Sequence, residues 1–124
     1  MGLTEEISAM RGGSGHPQRL LGEFRRAALL VPLADGAVMS GERGGVRWIY
    51  AFTDEEALAR FASARGAGDR EWEYLAILGA RLVDAVIPDV PGPAGVAVNV
   101  ADGEGAMLFP PVVGIVPDAV AVTA

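Results

Sequence analysis

Three carboxylates stand in a row at Asp54, Glu55 and Glu56, just after an aromatic run in which Trp48, Tyr50 and Phe52 alternate with Ile49 and Ala51. Adjacent carboxylates can hold a hard divalent cation through oxygen, or can share a proton and work as general acid and base. The same residues have a plainer use. Thr53 is a good helix N-cap, Glu56 three residues on completes a capping box, and Asp54 and Glu55 fall in the first turn, where the helix dipole favours anions. That reading accounts for all four positions, so the cluster is expected to start a helix and no metal site is assigned to it.

Other chemistry is limited by missing residue types. The 124-residue chain has no cysteine and no lysine, its ten basic residues all being arginine, and a single histidine, His16, inside the stretch RGGSGHPQ. Thiolate nucleophiles, Schiff bases, the phosphate-loop lysine and thiolate zinc sites are excluded, and a Ser-His-Asp triad would have to take its base from a linker. His16 has no second His or Cys with which to share a metal. The loop GERGG has the glycine content of a phosphate cradle, but it lies between two strands and opens no helix, so it lacks the dipole that makes such loops bind anions. An enzyme built on this chain would have to use carboxylates, Tyr or Ser, with Mg²⁺ as the available helper. No cofactor is expected.

Alternation puts Trp48, Tyr50 and Phe52 on one face of a strand and Ile49 and Ala51 on the other. Trp72 and Tyr74 alternate with Glu71 and Glu73 in the same way. Core packing is the ordinary fate of such residues. If helices cover only one face of the sheet, however, an aromatic row is left partly exposed, and Trp48, Tyr50, Phe52 and Trp72 become the candidate interaction surface. Arg43 and Arg47 beside Glu42 read as a solvated charged rim.

The elements that carry these residues follow from periodicity and breakers. Residues 1–15 read as a flexible polar arm ending in RGGSG, and the folded domain as 16–124. From Pro17, Leu20, Leu21, Phe24, Ala27 and Ala28 recur at helical spacing, leading into LLVPLA, whose Pro32 marks an edge strand or an irregular one. GAVMS and VRWIYAF form a hairpin around GERGG. The capped helix buries Ala57, Leu58, Phe61 and Ala62 and stops near RGAGD. EWEYLAIL is a strand, Ala80 to Ile87 a helix and PDVPGPAG a loop; VAVNV and AMLF are strands joined by a tight turn at Asp102-Gly103, and PPVVGIVPDAVAVTA is an irregular or terminal apolar strand. The sum is one α+β domain with a largely antiparallel or mixed sheet of about five to six strands and about three packed helices.

Net charge is −6, with residues 27–124 carrying −7 against +1 for residues 1–26. An acidic body whose only adjacent basic pair is Arg25-Arg26 does not suit a phosphate backbone, so nucleic-acid binding is not expected. No apolar run reaches the roughly 20 residues of a membrane helix, and the acidic N-terminus is unlike a secretory signal; the expected location is the cytoplasm.

The segments RRAALLVPL, RWIYAFTDEEALARFA, EYLAILGARLVDAVIPDVPGPAGVAVNV and LFPPVVG, in that order, resemble the bacterial SseB-like N-terminal domain family, also called enhanced serine sensitivity protein B, over residues 19–118. The resemblance implies no enzymatic reaction, cofactor or catalytic residue that could be carried onto positions here. A non-enzymatic interaction or regulatory module, with a protein partner or a second copy of itself, is therefore the expected function. A small carboxylate-, Tyr- or Ser-based enzyme or a small-molecule-binding protein is the alternative.

Overall fold

Pro32 lies in the middle of a central strand, where a missing N–H is normally costly. The computed structural model, which describes residues 2–122, shows why it is tolerated. Strand β1 (Ala28–Ala34) is flanked by β2 (Ala37–Val38) and β5 (Tyr74–Leu78) in a three-stranded sheet ordered β2-β1-β5. Pro32 is paired with Tyr74, and Leu33 N–H donates to the Glu73 carbonyl at 2.9 Å, so the hydrogen bonds to β5 come from the odd-numbered residues of β1. On the other side the Pro32 carbonyl accepts from Met39 N–H at 2.8 Å, at the break between β2 and β3. Of the two expectations for Pro32, the edge position is not found and the local irregularity is.

The second sheet is ordered β3-β4-β6-β7, from β3 (Ser40–Arg43), β4 (Val46–Ala51), β6 (Ala94–Val98) and β7 (Met107–Phe109). Only β4 and β6 run parallel. The sheets are joined where Leu30 and Phe52 exchange both backbone hydrogen bonds, each 2.8 Å. The β3–β4 turn is tighter than GERGG suggests. Glu42 and Arg43 belong to β3, and Gly44 and Gly45, with φ of 61° and 80°, form a two-residue turn that only such residues make cheaply.

Helices cover the two faces unequally. On one side lie α1 (Leu3–Arg11), α2 (Pro17–Arg26) and a helical segment that begins as α4 (Gly79–Arg81), widens into a π turn at Leu82–Val86 and tightens at Ile87–Asp89. The Ile87 N–H reaches back five residues to the Leu82 carbonyl, and Pro88 has no N–H with which to continue that ladder. These elements enclose Ile7, Phe24, Leu29, Val31, Ile49, Leu82, Val83, Val96 and Phe109, with the rings of Phe24 and Phe109 stacked at 4.1 Å. The Arg25 guanidinium bridges to both Asp84 oxygens at 2.7 and 3.3 Å and holds that carboxyl below its usual range, tying α2 to the π turn. On the other side α3 (Glu55–Ala64) alone packs down, through Ala57, Leu58 and Phe61, over Phe52.

The expected arm is different. Residues 3–11 form α1, whose Leu3 and Ile7 enter the main core; a stripe of two large side chains four residues apart in a polar context is too short to stand out as amphipathic. Over its described residues the apolar tail forms no strand beyond an isolated bridge. It turns at residues 114–115, between the bridged Val113 and Val116, and again at Asp118–Val120, burying Val116 and leaving Val113 exposed. The fold is a single α+β domain.

Candidate functional site

β4 carries the candidate surface because its two faces meet different neighbours. Ile49 and Ala51 point into the main core with no exposure, while Trp48 and Tyr50 point the other way and are half-buried. Phe52 continues that outer row but is fully buried beneath α3. Register sets what surrounds each aromatic. Gly41 and Gly95 flank Trp48 on the neighbouring strands, and Ala97 with Leu108 beyond it lies beside Tyr50. The indole lies across Gly95, where an added Cβ would fall 2.8 Å from the ring and 2.6 Å from the Phe109 carbonyl. The Tyr50 hydroxyl lies against Gly41 in the same way. Small residues thus make a floor on which the two aromatics lie down.

The result is a concave patch of about 320 Å³ between Trp48, Tyr50, Phe61 and Leu108, closed below by Ala97 and Val100 and rimmed by Glu42 and Arg43. Phe61 of α3 forms its end wall, with its ring 5.0 Å from Tyr50 and 5.0 Å from Phe52. Leu108 is 54 % exposed. Chemically the patch offers apolar and aromatic contact, one phenol, and one charge of each sign at the edge.

Trp72 is elsewhere. β5 begins only at Tyr74, so Trp72 belongs to the preceding loop, where its Nε1–H donates to the Ala67 carbonyl at 2.9 Å and Arg70 stacks on it at 4.8 Å. It meets the edge of Phe61 at 6.0 Å, from the side of α3 away from Trp48. The structure therefore brings Trp48 and Tyr50 into one patch, seals Phe52 beneath α3 and places Trp72 outside the patch, in the hydrophobic cluster around Phe52 and Phe61 that Tyr50 also touches. Phe61, Ala97 and Leu108 join the patch without having been singled out from sequence. Alternation alone marks Leu108 as facing opposite to its neighbours, but the pairing of β7 with β6 is needed to place it beside Tyr50.

The carboxylate row does start a helix, one residue later than expected. Asp54 is the N-cap, its Oδ1 accepting from Ala57 N–H at 2.8 Å. Thr53 is occupied differently. Buried Asn99, in the left-handed region at φ 53°, accepts from Thr53 N–H and donates from its side-chain amide to the Thr53 hydroxyl, both at 3.0 Å. With its hydroxyl held by Asn99, Thr53 cannot cap, and Asp54 takes the role. Among the described residues no group of His, Asp and Glu is gathered for a metal ion. Arg60 grips both oxygens of Asp102 at 2.6 and 2.9 Å, which fastens α3 to the β6–β7 connection and raises the affinity of the guanidinium for its proton. The hairpin Asp102-Gly103 signal becomes a helical turn at Gly103–Gly105.

His16 precedes α2 as its N-cap residue and makes no side-chain capping bond. Arg47 bonds Ser40 at 3.1 Å and lies 3.6 Å from Glu42, a solvated pair on the strand surface.

No helix among the described residues is long and apolar enough to cross a membrane. Comparison with curated proteins and with solved structures gave no match. The family model described as SseB protein N-terminal domain matches residues 3–114, so the family's extent includes α1 and begins well before the segment that carries the resemblance in sequence. The chain belongs to the SseB protein N-terminal domain family.

Proposed function

We propose that this SseB-family domain is a non-enzymatic interaction module whose uncovered sheet face, centred on Trp48 and Tyr50, receives a protein partner in the cytoplasm. The observation that carries the reading is the half-buried aromatic pair laid across a floor of Gly41, Gly95 and Ala97, with Leu108 exposed beside it. Rigid aromatics presented with one face open supply contact area at low entropic cost and are enriched at protein interfaces. The acidic body, at −7 over residues 27–124, supports a protein partner over nucleic acid.

The alternative is a small enzyme or small-molecule binder, and the volume of about 320 Å³ with the Tyr50 phenol at its edge favours the binder form of it. Acid catalysis calls for a carboxyl held above its usual range. Among the described residues the shifted carboxyls are Glu5 and Asp84, both moved down, Glu5 by hydrogen bonds from Thr4 and Gly2 and Asp84 by Arg25.

Site-specific photocrosslinking in host lysate distinguishes these readings. A photoreactive residue at Leu108 is expected to give a discrete protein adduct that the same residue at exposed Arg19, on α2, does not give, and that Trp48→Ala removes. A folded sample with no adduct from position 108, stabilised instead by a small molecule in a thermal-shift screen, would overturn the proposal in favour of the binder.

A further inference from the structure

β5 is the outermost strand of its sheet, and its outer edge is open. Leu33 N–H donates to Glu73 and Gly79 N–H to the Ala27 carbonyl, both at 2.9 Å, bracketing the strand. In an antiparallel ladder hydrogen-bonded pairs alternate, so Leu75 and Ile77 face β1 while Tyr74, Ala76 and Leu78 turn their N–H and C=O groups outward. Among the described residues, no turn, loop or cap hydrogen bond reaches the outward groups of Tyr74 and Ala76, and Leu78 ends the strand as the N-cap residue of α4.

Edges of this kind are usually blunted by charge, proline, a bulge or shortness. The other edges here follow that rule: β2 has two residues, β7 has three, and β3 carries Glu42 and Arg43. The sequence Tyr74-Leu75-Ala76-Ile77-Leu78 has none of these devices, and Leu75 and Leu78 are 49 % and 51 % exposed.

We infer that β5 pairs antiparallel with β5 of a second copy of this chain, about a two-fold axis at Ala76, to make one sheet continuous across a homodimer. The strand is self-complementary in that register. Ala76 meets Ala76 of the second copy, the smallest side chain of the strand at its closest point, and Tyr74 lies opposite Leu78. Each of the three outward residues falls in a hydrogen-bonded pair. The flanking charges choose the occupant and its direction. Glu71 and Glu73 precede the strand and Arg81 follows it; all three are exposed, and none is among the ion pairs of the described residues. Antiparallel self-pairing sets the acidic end of each copy by Arg81 of the other, whereas parallel pairing would stack like charges.

The absence of cysteine makes the test direct. Ala76→Cys in the full chain, under mild oxidation, is expected to give at least about tenfold more disulfide-linked dimer than the surface control Glu42→Cys, since directly opposed residues lie at disulfide distance. Sedimentation velocity supplies the second readout. The wild type is expected to be a dimer, Ala76→Pro a folded monomer because the lost N–H serves no bond within the protomer, and Arg81→Glu a dimer weakened about two- to fivefold, the scale of an exposed ion pair. Combining Arg81→Glu with Glu71→Arg and Glu73→Arg should restore association. A wild type that remains monomeric across the micromolar range would overturn the inference, as would a dimer that leaves Ala76→Cys uncrosslinked or survives Ala76→Pro in folded form. A strand of another protein bound at a monomeric β5 falls under the first of these outcomes.

Discussion

Trp48 and Phe52 lie four residues apart on the same face of one extended segment, and they end in opposite circumstances. Phe52 is sealed between the sheet and α3, with Phe61 packed on it; Trp48 lies half-open over glycine. The strand pattern is the same at both ends. What differs is the reach of the covering helix, since the ten residues of α3 extend only about 15 Å and dock over the end of β4. Alternation therefore states which face an aromatic occupies, and the packing of another element decides whether that face is core or surface.

The largest effect should come from emptying the sealed end. Phe52→Ala removes a ring with no exposure and is expected to cost about 3–5 kcal/mol in urea unfolding, whereas Trp48→Ala at the open end should cost about 1–2 kcal/mol and be felt mainly in partner binding. Equal costs would break the contrast. Next is the floor of the open patch: Gly95→Ala puts a Cβ between the indole and the Phe109 carbonyl and should cost about 1–3 kcal/mol while shifting the tryptophan fluorescence.

The junction between the two ends is held by Asn99. Asn99→Ala takes away both hydrogen bonds to Thr53 and leaves a non-glycine residue at positive φ, an expected loss of about 2–3 kcal/mol by the same measurement. Asp54→Ala should cost about 1 kcal/mol as a lost N-cap, and Glu56→Ala less than about 0.5 kcal/mol. The reverse order would return the cap to Thr53 and its capping box.

The smallest effect lies far from both ends. Asp84 is held below its ordinary range by Arg25, so in the native state it binds its proton less readily than in the unfolded chain. Its contribution to stability is complete above the unfolded value and fades as pH falls through the lower folded one. Both side chains are substantially exposed, which leaves the pair worth well under about 1 kcal/mol. Asp84→Asn should accordingly lower the unfolding midpoint slightly at pH 7, and the gap to wild type should close as pH falls below the ordinary carboxylate range.

Much of this was legible in the chain. Pro17 and the Leu20–Phe24 spacing announce α2, the Ala57, Leu58, Phe61 and Ala62 stripe announces the buried face of α3, and the order of segments points to the family. The misses share a cause, which is dependence on residues distant in sequence. Asp54 caps because Asn99 holds Thr53 from 46 residues away. Pro32 is tolerated because Met39 breaks the adjoining strand beside it. The aromatic floor exists because Gly41 and Gly95 arrive on either side of Trp48 through one antiparallel and one parallel pairing. No local pattern contains such information, and α1 shows the converse, a local pattern too short to be read until its two apolar residues meet a core.

The interaction role of the open end is tested most directly by the yield of the partner adduct from a photoreactive residue at position 108, measured with and without Trp48→Ala in samples confirmed folded by circular dichroism. A protein adduct in the parent that falls at least about tenfold in the variant, a loss of about 1.4 kcal/mol or more, is the predicted result. An adduct of unchanged yield, or none in the parent, would contradict it.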